Sequence, residues 1–339
     1  MNDQRTRLIL GTAVSLLLLL WVFWRTDWEE VLLRLWEADP MMLLAAFLAV
    51  AVGVALRAWR WGIMLEPEDR ERSFVTLFDI VNVGYLANNL LPARLGDLLR
   101  AYLAREWTQV SLPFALSTTV VERVLDTLVV VVMLFGVLPF LPVPPLAART
   151  GLLVGILFFT GGVLLGVAAW QRERSESLLR VLLRPLPIDE TVWGPRLVAL
   201  LDGFALVRQP GRLARVLLST AIIWVVSISS YWFTFRAFDL VDLGPFSAAF
   251  VISLAALGMA APSGPAAAGT FDAAAAGALI VLGVATDLAG GIAVILHAIN
   301  FLVVTILGLW TMGRRGLSLS GLTERAEEVE QLNVGTLEH

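Results

Sequence analysis

Apolar runs of about 18 residues or more, the length an α-helix needs to cross a bilayer core, recur along the chain from Leu8 to Met312. Few folds are open to such a chain, because every amide and carbonyl in hydrocarbon must find a partner within the protein. With 58% of its residues apolar, the chain reads as an all-α polytopic membrane protein, and a soluble enzyme is excluded. One stretch breaks the pattern. Asn88 to Leu103, NNLLPARLGDLLRAYL, sets two amides, a proline, a glycine, two arginines and an aspartate among apolar neighbours. An ionised side chain at the bilayer centre costs about 2.5 to 3.5 kcal/mol on insertion scales, and Pro92 interrupts a helix where freed backbone groups meet no water. Such a break persists only where it is buried in protein or lines a wet cavity. The stretch therefore reads as the tip of a re-entrant hairpin.

The distribution of arginine fixes which ends face the cytoplasm. Full spans are expected at about Leu8–Trp24, Met41–Leu65, Phe114–Leu138, Gly151–Trp170, Leu213–Phe238 and Ala289–Met312. Arg57-Ala-Trp-Arg60-Trp61 marks a cytoplasmic interface, and the acidic loop from Asp27 to Asp39 lies outside. Phe74–Leu91 with Gly96–Trp107, and Phe246–Ala261 with Gly269–Gly283, enter and leave on one side each. Six full spans plus two re-entrant helical hairpins result, in the order span, span, hairpin, span, twice over with opposite orientation. Each tip has a proline, then a glycine, then an acid: Pro92, Gly96, Asp97 and Pro262, Gly269, Asp272. Inverted repeats with interrupted helices mark transport sites near the midplane.

The expected organisation is a single membrane domain, residues 1–312, with a first repeat at about 8–138 and a second at about 151–312. Between them, residues 171–212 hold the largest basic excess and a stripe of Trp193, Leu197, Leu201 and Phe204, an amphipathic cytoplasmic linker that either rests on lipid or only joins the halves. Residues 313–339 read as a cytoplasmic tail, and its Leu-Glu-His end resembles a purification-tag remnant. Both termini are expected in the cytoplasm, at the inner (plasma) membrane of a prokaryote.

Cysteine is absent and only two histidines occur, His297 and His339. No thiolate or histidine-based metal site is expected, and no phosphate-loop or dinucleotide glycine pattern calls for a cofactor. Arg94, Asp97, Arg100, Glu122, Arg123 and Asp126 carry three charges of each sign. Two readings are compatible with that balance. One is a structural ion-pair network; the other is a polar chamber in which Arg94 and Arg100 take a phosphate, Glu122, Arg123 and Asp126 orient them, and Asn88 and Asn89 line the mouth. In the second hairpin, Ser263, Asp272, His297 and Asn300 are the candidates. Asp272 also suits the first turn of a helix, and His297 with Asn300, one turn on, also suits interhelical packing. A Ser263–His297 hydrolase dyad lacks the expected turn around the serine. Glu29 and Glu30 stand where some glycosyltransferases of polyprenyl donors carry a catalytic acid, but the outer loops are short.

Asn89-Leu-Leu-Pro92-Ala-Arg94-Leu-Gly96-Asp97-Leu-Leu-Arg100, Val121-Glu122-Arg123-Val-Leu-Asp126 and the Pro262-Ser-Gly-Pro265 segment with Gly269-Thr-Phe-Asp272 resemble the signature of the lysylphosphatidylglycerol synthase transmembrane-region family. The resemblance covers about Leu8 to Met312. It implies a flippase-like domain with two re-entrant segments, moving lipids of modified head group between leaflets. Asp97 and Asp272 stand where the family often has glutamate, and Ala266-Ala267-Ala268 replaces a more glycine-rich loop. No acyltransferase domain is expected after Met312, so the chain itself is expected not to be an enzyme. The partners implied are membrane lipids with anionic or modified head groups, with a lipid-modifying or glycosyl-transferring enzyme or a second copy of the chain as further partners, and no nucleic acid. The alternative function is that of a non-transporting membrane partner for such an enzyme.

Overall fold

The computed structural model of the chain describes residues 17–66, 73–91, 95–141, 156, 160, 209–260, 265–318, 321 and 322. Among these every regular element is helical. Residues 17–25 form α1, followed by α2 (Trp28–Glu37), α3 (Pro40–Leu65), α4 (Phe74–Leu90), α5 (Leu95–Trp107), α6 (Leu112–Val137), α7 (Pro210–Ala237), α8 (Pro245–Ala260), α9 (Thr270–Val281) and α10 (Thr286–Arg315). Most of the span expected at 151–170, most of the basic linker, and the tip residues Pro92, Arg94, Pro262 and Ser263 lie outside the described residues.

Among the described residues four helices are long and apolar enough to cross a membrane: α3, α6 with its one-turn 3-10 extension to Phe140, α7 and α10. Many of their outward side chains, such as Leu44, Val132, Leu218 and Ile306, are exposed and apolar, as lipid contact requires. Their ends form two layers. At one, which we call the arginine end, Arg212 at the start of α7 donates through Nε to the Ile63 carbonyl (2.9 Å) and also bonds the Met64 carbonyl, capping α3. At the other, the Asp39 amide donates to the Ala237 carbonyl (3.0 Å), tying the start of α3 to the end of α7. The rings of Phe140 and Phe246 stack there at 4.9 Å.

The segment after α1, read from sequence as a loop, contains a helix. Asp27 caps α2 by accepting from the Glu29 and Glu30 amides, each at 3.1 Å. Its charges Glu29, Glu30, Arg34 and Glu37 lie on one side, while Val31 packs onto Gly291 of α10. Leu32 and Trp36 stay exposed, the pattern of a helix lying at an interface.

Two helix pairs fold back on themselves. Asp79, near the start of α4, and Trp107, which ends α5, both meet Arg315 at the foot of α10. The α4–α5 pair thus opens toward the arginine end. Its helices touch because both contribute glycine: a Cβ on Gly96 would lie 2.0 Å from the Gly84 carbonyl oxygen and 2.7 Å from the Asn88 amide. The α8–α9 pair opens the other way, since α8 follows Ala237 by a short turn and α9 leads directly into the start of α10. There Gly258 sets α8 against Thr270 and Ala274. One apolar cluster surrounds each pair, Ile80, Leu86, Leu99 and Leu103 in the first and Val251, Phe271, Leu279 and Ile292 in the second.

The tips meet. α4 packs against the 3-10 turn Pro265–Ala267 that precedes α9. In that turn Ala266 and Ala267 both take φ of 56°, a left-handed conformation that costs a side-chain-bearing residue about 1 to 2 kcal/mol.

Candidate functional site

The charges of α3, α5 and α6 converge between the two apolar clusters. Glu122, ten residues into α6, and Thr220, ten into α7, each stand about 15 Å from the start of their helices. Glu122 and Asp126 share a face because they are one turn apart. Asp126 receives both prongs of Arg60, Nη1 to Oδ1 at 2.7 Å and Nη2 to Oδ2 at 2.9 Å, and Arg60 also donates to Thr220 Oγ1 at 3.1 Å. Glu122 accepts from Arg100 Nη2 at 2.6 Å and lies 3.4 Å from Arg60 Nη2. Arg100 donates as well to Thr119 Oγ1 (3.3 Å) and stacks its guanidinium over Trp61 at 4.4 Å. Arg60, Arg100 and Glu122 are completely enclosed. Arg57 approaches Asp126 Oδ2 at 3.5 Å from a partly exposed position beside the Trp224 ring.

Asp97, in the first turn of α5, forms a second ion pair at the first tip. It accepts from Arg123 at 2.8 Å and 3.2 Å and from Asn88 Nδ2 at 3.1 Å. Arg123 thus turns away from its helix neighbours Glu122 and Asp126 toward the hairpin, and it remains partly exposed. Asn89 points the other way, donating from Nδ2 to Thr305 Oγ1 (3.3 Å) and the Phe301 carbonyl (3.4 Å) halfway along α10.

Four residues before Phe301, His297 of α10 meets the second tip. Its Nδ1 lies 3.0 Å and 3.2 Å from the two oxygens of Asp272, which is buried and accepts from the Gly269 amide at 2.8 Å. The Phe271 ring lies 4.6 Å from the imidazole, centre to centre. Asn300 is exposed and does not join the pair.

The structure thus joins Arg100, Glu122 and Asp126 in one network through Arg60, and sets Arg123 and Asp97 beside it as a separate ion pair. It places Asn88 and Asn89 at the first tip and Asp272 with His297 at the second. The sequence reading set Arg57 and Arg60 at a cytoplasmic interface; Arg60 is instead buried in the network. The missed signal was helical spacing: the face of α6 bearing two acids needs two cations, and Arg123 is on its flank. With Arg57 and Arg60 counted, four arginines face three carboxylates among the described residues. A second missed cluster lies at the arginine end, where buried Asp79 binds both Arg314 and Arg315, the latter through Nε at 2.7 Å. Each arginine also covers an indole, Trp310 and Trp107. No group of metal-ligand type occurs among the described residues.

Helices of membrane-crossing length, two shorter pairs folded back between them and a buried charge network define a multi-pass α-helical membrane protein. The chain belongs to the family described as the lysylphosphatidylglycerol synthase TM region, whose model matches residues 8–308. It is similar to a UPF0104 membrane protein of Methanothermobacter thermautotrophicus, 26% identical over 321 residues, or 90% of this chain and 92% of that one. It is also similar, at 28% identity over 127 residues, to the glycosyltransferase AglD of Haloferax volcanii, covering 38% of this chain and 20% of AglD. A UPF0104 membrane protein of Methanocaldococcus jannaschii is 29% identical over 130 residues, 38% of each chain. No solved structure matches.

Proposed function

We propose that this protein is a lipid flippase, moving a phospholipid or a lipid of modified head group between the leaflets of a prokaryotic inner membrane. The observation that carries the reading is the meeting of two oppositely opening helix pairs halfway along α10, beside a buried network richer in arginine than in carboxylate. The arginine end is cytoplasmic by charge, and the two helix pairs are re-entrant hairpins of an inverted repeat. The head group enters a polar crevice that opens where the tips part, while its acyl chains stay in the bilayer. Arg94, Arg123 and Arg100 take the phosphate; when the site is empty Glu122 holds Arg100 and Asp97 holds Arg123, while Asp126 fixes Arg60 beside them. Exchange of partners keeps each guanidinium paired throughout. The chain does no covalent chemistry in this reading.

Reconstitution tests it. Purified protein in liposomes should expose a fluorescent phospholipid of the inner leaflet to an impermeant quencher outside. Arg94→Gln and Arg123→Gln should abolish this while retaining the thermal unfolding profile of the wild type. Variants that fold and still move lipid at the wild-type rate overturn the reading.

The similarity to part of AglD favours a second reading, in which the domain anchors a glycosyltransferase. Neutralising the arginines of the segment from Gln171 to Arg215 would then release that enzyme, and substitutions in the charge network would not.

A further inference from the structure

Each tip carries one buried or half-buried carboxylate, and the two are neutralised by different chemistry. Asp97 faces Arg123 at 2.8 Å, and a guanidinium stays protonated at any physiological pH. Asp272 faces His297 at 3.0 Å, and imidazole is the side chain whose ordinary titration falls between about pH 5 and 8. We propose that the Asp272–His297 pair is a proton-binding site at the junction of the hairpins, and that the proton is the coupling ion for lipid movement. This inference rests on the flippase reading above.

The surroundings leave the pair to itself. α8 and residues 261–264 contain no titratable side chain, and α9 contains only Asp272. α7 contributes the buried Tyr231 phenol, within electrostatic reach of Asp272. α4 brings the amides Asn88 and Asn89 near the tip; its ionisable groups are Tyr85, whose charged neighbours are Glu122 and the arginines of the network, and Asp79, held by Arg314 and Arg315. On α10 the other ionisable residues are Asp287, Arg314 and Arg315, ten or more positions from His297. The charges of α3 and α6 are engaged in the arginine–carboxylate network, where Arg57 and Arg60 meet Asp126, Arg60 and Arg100 meet Glu122, and Arg123 turns to Asp97. No arginine among the described residues bonds either member of the pair.

With imidazole neutral, the pair holds one negative charge, compensated by the Gly269 amide and the start of α9, where the helix dipole favours an anion. One proton makes the pair neutral. Proton uptake therefore lowers the cost of sealing this tip in hydrocarbon, and release favours its contact with water. The first tip has no such choice, since Asp97 and Arg123 stay neutral as a pair.

The test uses full-length protein in liposomes containing phosphatidylglycerol with a fluorescent acyl chain, under an imposed pH difference. One proton exchanged per lipid permits up to about a tenfold leaflet asymmetry per pH unit. Wild type should build such an asymmetry; His297→Gln and Asp272→Asn should hold the ratio near one. A second readout needs no transport. In a His339→Gln background, the infrared difference spectrum between about pH 8 and pH 5 should show an imidazole band that His297→Gln removes. Asymmetry in His297→Gln equal to the wild type, or a missing band, overturns the proton site. A wild type that moves lipid without asymmetry overturns the coupling. A wild type that moves no lipid overturns the flippase reading, and the infrared band then decides the proton site alone.

Discussion

Arg60 of α3 and Asp126 of α6, sixty-six residues apart in sequence, form a two-pronged ion pair with N···O distances of 2.7 Å and 2.9 Å. Their helices have few other close approaches, so this pair, the neighbouring Glu122 contact and the Trp61 Nε1 bond to Thr118 Oγ1 (3.2 Å) fix how α3 and α6 sit.

Arg60 has no exposure, so removing one partner strands a buried charge. Arg60→Gln or Asp126→Asn should cost about 3 to 5 kcal/mol. Arg60→Leu with Asp126→Leu should cost less than either single change, because Glu122 keeps Arg100. Thermal unfolding in detergent measures all three.

Asp79 gives the opposite asymmetry. Its two arginines are each about a third exposed and can turn to water, so Asp79→Asn should lose only about 1.5 to 3 kcal/mol. Arg314→Gln alone should be mild, since Arg315 remains. Replacing both arginines should exceed the sum of the singles, because the buried carboxylate is then unpaired; denaturant titration of the four proteins reads the excess.

Gly96→Ala should force α4 and α5 apart, since the new methyl would sit 2.0 Å from a carbonyl oxygen. Gly53→Ala in α3 meets nothing within 4 Å and should stabilise by about 0.5 to 1 kcal/mol. Opposite shifts in midpoint temperature are the expected outcome.

Ala266→Gly and Ala267→Gly should each raise stability, by up to about 1 kcal/mol, by relieving the left-handed backbone at the second tip. If the strain serves opening of the tip, the same variants should also slow lipid movement.

Arg215 and Glu66 are paired at 2.7 Å but well exposed. Arg215→Gln should change stability by no more than about 1 kcal/mol, and the change should vanish in high salt.

Helix placement was largely legible because apolar run length and prolines speak locally: α3 and α4 begin and end within a residue of expectation. The α2 helix was missed since its charges were weighed for sidedness rather than for period. Glu122 and Asp126 were legible as a shared face because that is a property of one helix. Their partner Arg60 was not, since an arginine beside tryptophans near a helix end reads as interfacial until another helix supplies a carboxylate. The Asp272–His297 bond likewise depends on how α9 meets α10, which no local pattern encodes.

α10 carries the landing points of both tips on one unbroken rod, Asn89 at Thr305 and Asp272 at His297. Leu86 seated on Gly308 adds a third. A tilt of that rod must displace both tips together, so the two helix pairs share a mechanical axle and neither can shift without loading the other.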